Sequence, residues 1–93
     1  MVVGTVRIKI YAPWVHSLKE KRMVVKSLCA KVKNKFNVSI AEVEDQDLHQ
    51  SIVLGIACIT SSSAHADKIL DTVINFIEGN TEGDIINIER LLY

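Results

Sequence analysis

The nine residues from Ile52 to Thr60 carry no charge, and both of their alternating faces are apolar: Ile52, Leu54, Ile56 and Cys58 on one, Val53, Gly55, Ala57 and Ile59 on the other. The run is far short of the ~18 residues a membrane span requires. Broken by Gly55, it reads as a buried strand. A strand apolar on both sides belongs in the middle of a sheet, with each face covered or crowded. The rest of the chain must supply its neighbours.

Val2 to Tyr11 alternates, with Val2, Gly4, Val6, Ile8 and Ile10 on one face and Val3, Thr5, Arg7, Lys9 and Tyr11 on the other. That is a strand with one buried and one wetter face, ended by Pro13, which has no amide for the ladder. Ser17-Leu18-Lys19-Glu20 is a capping box opening a helix that runs to about Lys35. Leu18, Val25, Leu28, Cys29, Val32 and Phe36 form its apolar side. Val38 to Glu44 is a second strand, followed by a polar turn at Asp45-Gln46-Asp47. Ser61 to Ser63 offer an N-cap for a second helix. Its apolar face is Ala66, Ile69, Leu70, Val73, Ile74 and Ile77, and Gly79 is the expected C-terminal glycine. Ile85 to Leu92 is a last strand, with Ile86 and Ile88 expected in the core.

Strand, helix, strand, strand, helix, strand, each helix carrying one apolar stripe, calls for one shared sheet. Right-handed crossovers reduce the choices to a ferredoxin-like βαββαβ sandwich. The expected sheet is antiparallel, ordered 4-1-3-2, with both helices on one face. Residues 1–93 read as a single α+β domain, with no repeat or linker. Cys29 and Cys58 sit in apolar periodic segments and read as core residues. The amino-terminal stretch lacks signal-peptide features, so a cytosolic protein without membrane contact is expected.

Three stretches, Ser17-Leu18-Lys19-Glu20-Lys21-Arg22, Asn34 to Val43, and Asp47-Leu48-His49-Gln50, occur in an order and spacing that resemble the YlxP-like family of small bacterial proteins, a domain of unknown function. The resemblance covers nearly the whole chain and implies a ferredoxin-like fold. It implies no agreed enzymatic activity. The family's genes often lie among those for translation initiation and ribosome maturation, which points toward RNA or the ribosome. His49 departs from the family, whose members usually carry tryptophan there; any role of that aromatic is either missing here or falls to Trp14.

A net charge of zero conceals a division. Residues 1–37 hold nine basic side chains and one acid; residues 38–93 hold two basic side chains and ten acids. Lys19, Arg22, Lys26 and Lys33 fall within about 60° on the helical wheel, beside the apolar face, with Lys21, Lys31 and Lys35 expected on the opposite flank. Such a stripe attracts phosphate backbones without sequence-specific contacts. The alternatives are a solvated helix whose lysine stems cover core edges, and self-association of basic with acidic regions.

Glu42, Glu44, Asp45, Asp47 and His49 are closely spaced donors, but they match no calcium or zinc motif and read as a polar hairpin turn, so no metal or cofactor is expected. Trp14 reads as packing. His16, His49 and His65 have no nucleophile placed near them, and no catalytic constellation is present. RNA-recognition motifs stack bases on sheet aromatics, and the outer face expected here has none but Tyr11. An acylphosphatase would carry a glycine-rich loop where this chain has Ala12-Pro13-Trp14-Val15-His16. The first functional expectation is therefore a non-enzymatic module near RNA or the ribosome, acting through Lys19, Arg22, Lys26 and Lys33. The second is a homodimeric regulatory or assembly domain that binds a small molecule or a protein partner through Val53, Gly55, Ala57 and Ile59 on the open sheet face.

Overall fold

The computed structural model describes residues 1–93. Its elements are β1 (Val2–Tyr11), α1 (Leu18–Lys35), β2 (Ser39–Glu44), β3 (Ser51–Thr60), α2 (Ser63–Asn80) and β4 (Asp84–Leu92). They form one antiparallel sheet ordered β2-β3-β1-β4, the expected order read from the other edge. The doubly apolar β3 is an inner strand, paired with β1 from Val2↔Thr60 to Tyr11↔Ser51. This is the ferredoxin-like arrangement.

The core lies between one sheet face and the helices. Val6, Ile8 and Ile10 from β1 and Ile52, Leu54, Ile56 and Cys58 from β3 meet Leu28 and Val32 of α1 and Ala66, Leu70, Val73, Ile74 and Ile77 of α2. Cys29, Trp14 and Phe36 are partly buried against this cluster. Gly4 lets α2 approach, since a Cβ there would stand 3.2 Å from both Ala66 Cβ and Leu70 Cδ1. The serine half of the capping box is formed: Ser17 Oγ accepts from the Glu20 amide at 3.1 Å, and Ser62 Oγ does the same for His65 at 3.2 Å.

Two local expectations are corrected. Gly79 does not end α2: the helix continues through it to Asn80, and the exit is made by extended Thr81, whose amide donates to the Ile77 carbonyl at 2.9 Å. Asn80 Nδ2 donates to the Phe76 carbonyl, so a left-handed glycine is not needed to satisfy that end. Ile86 and Ile88 are not core residues, being 58% and 39% exposed. β4 is an edge strand, and a bulge opposite Ile10 skips Ile86, leaving Ile85 as the residue packed on the core.

Candidate functional site

Helix α1 presents its cations in two ways. Lys19, Arg22, Lys26, Lys31, Lys33 and Lys35 are exposed, and none enters an ion pair. Lys35 Nζ lies 5.0 Å from the centroid of the Phe76 ring. Lys21 is the exception, and the expectation that it flanks the helix is overturned: it is 1% exposed. Its Nζ stands 2.8 Å from Glu42 Oε2 and donates to the Asp45 carbonyl at 2.5 Å. The Glu42 contact is ionic, because Oε2 is sealed from solvent and meets no donor at a hydrogen-bonding angle. The wheel holds the signal for this burial, since Lys21 projects between Leu28 and Val32 at 100° per residue.

Lys21 thereby ties the start of α1 to the end of β2. Asp45 adopts a left-handed backbone (φ 56°), which a short polar side chain tolerates. Its Oδ2 accepts from Ser51 Oγ at 2.7 Å and lies 3.7 Å from Lys9 Nζ. The Ser51 hydrogen bond, helped by Lys9, holds the Asp45 carboxyl below its ordinary range.

The acids of the second half of the chain are largely spent inside the fold. Glu42 faces Lys21, Asp45 faces Lys9, Glu44 and Glu89 flank Arg7, and Asp67 and Asp71 flank Arg90. Arg7, opposite Gly55 in register, reaches over β3 to Glu44 on β2 and donates to Glu89 on β4 at 2.5 Å. Position 55 itself is crowded by β2: a Cβ there would lie 2.8 Å from Val43 Cγ1. After folding, six of the ten acids of the second half are therefore in ion pairs, shared among Arg7, Lys9, Lys21 and Arg90, while six of the seven α1 cations are in none. The candidate metal donors of the hairpin are likewise divided, Glu42 toward α1, Glu44 toward Arg7 and Asp45 toward Ser51.

The sheet face away from the helices is less uniform than the alternation implies. Ile59 is 70% exposed, and Gly55 and Ala57 line a shallow groove of about 560 Å³ together with Thr5, Ala41, Val43 and Leu91. Val53 departs from the expected open position: it is 2% exposed, with Lys9 and Glu44 as its cross-strand neighbours and Arg7 beside them. Of the predicted interface residues, the structure groups Gly55 and Ala57 in the groove and sets Val53 apart beneath charge. Trp14, partly buried against the core, borders a surface cavity with Met23, Val24 and Leu28 of α1, and His16, His49 and His65 are exposed.

A model of the family described as "Protein of unknown function (DUF503)" matches residues 3–90. The chain belongs to that family. Among curated DUF503 relatives, the uncharacterized protein YlxP of Bacillus subtilis (strain 168) is 47% identical over 66 residues, covering 71% of this chain and 72% of that protein. Neither description carries an enzymatic activity. Among solved structures, a de novo designed protein with a ferredoxin fold has a TM-score of 0.62 at 19% identity, covering 99% of this chain and 85% of the designed one. The de novo designed protein Foldit4 has a TM-score of 0.51 at 14% identity, covering 99% of this chain and 94% of its own. Both support the fold of this DUF503 domain and nothing further. No helix of the chain is long and apolar enough to cross a membrane.

Proposed function

We propose that this chain is a non-enzymatic module of the cytosol that binds RNA, free or within the ribosome, through the exposed face of α1. Lys19, Arg22, Lys26 and Lys33 would contact backbone phosphates. The observation that carries this reading is that α1 leaves six exposed cations outside any ion pair while six acids elsewhere are paired within the fold. The arrangement costs stability, since like charges three or four apart on a helix, such as Lys19/Arg22, Arg22/Lys26 and Lys31/Lys35, each oppose helix formation by about 0.2–0.5 kcal/mol. A polyanion would reverse the sign of that cost and release counterions on binding. The gene neighbourhood that the family resemblance implies agrees with such a ligand.

Affinity capture from cell extract, with and without nuclease, tests the reading. The wild-type chain should retain RNA, and the combined Lys19→Glu, Arg22→Glu, Lys26→Glu and Lys33→Glu variant should not. Equal RNA recovery by the two proteins would refute it.

A second reading, a regulatory or assembly domain that takes a small molecule or partner on its open sheet face, is favoured by the groove beside Gly55 and Ala57. It ranks lower because the Arg7, Glu44 and Glu89 cluster interrupts that face and Val53 is withdrawn from it. A specific ligand would raise the melting temperature by mass action, so an unresponsive metabolite screen counts against it.

A further inference from the structure

A cavity of about 320 Å³ opens where the middle of α1 meets the turn that leaves α2. That is the small end of the range for ligand pockets, about 300–1,000 Å³. Trp14, Met23, Val24 and Leu28 give it an apolar wall. Lys31 lines it from α1, and Asn80, Thr81 and Glu82 line it from the turn. Lys31 and Glu82 border the same space, yet neither enters an ion pair. The segment that carries Trp14 is fixed. The Ala12 amide donates to the Gln50 carbonyl at 2.8 Å, Gln50 Nε2 donates to the Pro13 carbonyl at 2.9 Å, and the Val15 amide donates to the Ala12 carbonyl at 3.2 Å. Ala12 and Val15, on either side of Pro13-Trp14, are fully buried. A ring held this way is ordered in advance, so a ligand that stacks on it has less entropy to overcome.

The polar groups of the rim differ in what they can do. Ionised Glu82 only accepts hydrogen bonds, and Lys31 only donates. Thr81 Oγ1 already accepts from the Gly83 amide at 3.0 Å, which leaves its proton to donate. Asn80 Nδ2 is engaged with the Phe76 carbonyl at 2.8 Å, which leaves its Oδ1 to accept. Among the RNA bases, guanine alone presents two adjacent N–H donors, at N1 and N2, to one carboxylate, with the O6 acceptor beside them. Adenine and cytosine would turn a ring-nitrogen lone pair on Glu82, and uracil offers a single donor between two acceptors. Unpaired bases in RNA are read by this combination of aromatic stacking and hydrogen bonds to the Watson–Crick edge.

We propose that this cavity is a guanine subsite for single-stranded RNA. The base stacks on Trp14, Glu82 accepts from its N1 and N2 donors, Thr81 donates to O6, and Lys31 meets the adjoining phosphate. The proposal rests on α1 being an RNA site and adds a base preference to it. At 100° per residue, Met23, Ser27, Ala30 and Asn34 form the crest of α1, with the Lys19, Arg22, Lys26 and Lys33 stripe on one side and Lys31 on the other. A strand crossing that crest passes from the phosphate contacts of the stripe to Lys31 and the cavity.

Trp14 is the one tryptophan of the chain, so its emission reports on this cavity. The probes are two uridine hexamers, one with a central guanosine and one with a central adenosine, followed by Trp14 emission and, when end-labelled, by anisotropy. With the wild type, the guanosine hexamer should quench Trp14 saturably and bind about tenfold or more tightly than the adenosine one, the discrimination that one bidentate contact supplies. Glu82→Gln, at an exposed position in the turn, should bring the two hexamers to equal affinity. Guanosine-selective quenching that survives charge reversal of the α1 stripe would support the cavity and contradict the role of the stripe. Salt-dependent binding of both hexamers with equal affinity and unchanged Trp14 emission would overturn the guanine subsite and leave α1 as an RNA site. Binding of neither hexamer would overturn both.

Discussion

Helices α1 and α2 have the same length, 18 residues, the same kind of serine cap and the same sheet face to lie on, yet they are held by different forces. α2 buries Ala66, Leu70, Val73, Ile74 and Ile77; α1 buries only Leu28, Val32 and the lysine between them on the wheel. Each fully buried aliphatic side chain contributes about 1.5–3 kcal/mol, so α2 is fixed mainly by apolar area. α1 has less of it and adds an ion pair to β2. Their outer faces differ too: Asp67 and Asp71 of α2 are held by Arg90 of β4, whereas the outward cations of α1 meet no carboxylate in the fold. A helix whose charges are answered internally is scaffold. One that keeps repelling charges in water is the helix to which the proposed function assigns an external polyanion.

The largest effect that bears on this contrast is the loss of α2 packing. Leu70→Ala should cost about 2–5 kcal/mol in urea denaturation. Leu28→Ala should fall at the low end of that range, because the α1 interface is sparser; equal costs would erase the distinction. Next comes Lys21→Ala, which strands Glu42 with little access to water. Removing one partner of a fully buried pair costs about 3–5 kcal/mol, and the partial exposure of Glu42 puts this case near the lower bound. Lys21→Met combined with Glu42→Leu should recover most of the loss, which separates ionic anchoring from packing.

Smaller still is the effect of neutralising the stripe. Lys19, Arg22, Lys26 and Lys33 changed together to Gln should leave stability within about 0.5 kcal/mol per site, or raise it, as judged by thermal melts. A large loss would mean the stripe is structural. The smallest effect is a titration. In an NMR pH series the Asp45 carboxyl should titrate below the ordinary carboxylate value of about 3.9, and Ser51→Ala should move it up. Since the folded-state value is depressed, the associated stabilisation is present above the unfolded value and is lost as pH falls through the folded one.

Period and punctuation make the fold readable in the sequence. The alternation of Val2 to Tyr11, the unbroken Ile52 to Thr60 and the serines before each helix were enough to order all six elements, because each signal is local. The misreadings concern relations between elements. Ile86 and Ile88 alternate like core residues, but coverage of an edge strand depends on how far a helix extends over it. Val53 reads as open because the Arg7, Lys9 and Glu44 side chains that crowd it come from other strands. Lys21 reads as a flank residue with Lys31 and Lys35, although its own direction on the wheel lies between Leu28 and Val32; only the approach of Glu42 and the Asp45 carbonyl makes a buried ammonium tolerable there. The exposed stripe on α1 was fully legible, since it depends on one helix alone.

The claim that α1 is a polyanion site is tested most directly by the salt dependence of binding to a fluorescent single-stranded RNA. Four phosphate contacts predict a slope of log affinity against log salt of about −3, and a slope near zero for the four-site Gln variant. Binding indifferent to salt, or a variant that keeps both the affinity and the slope of the wild type, would contradict it.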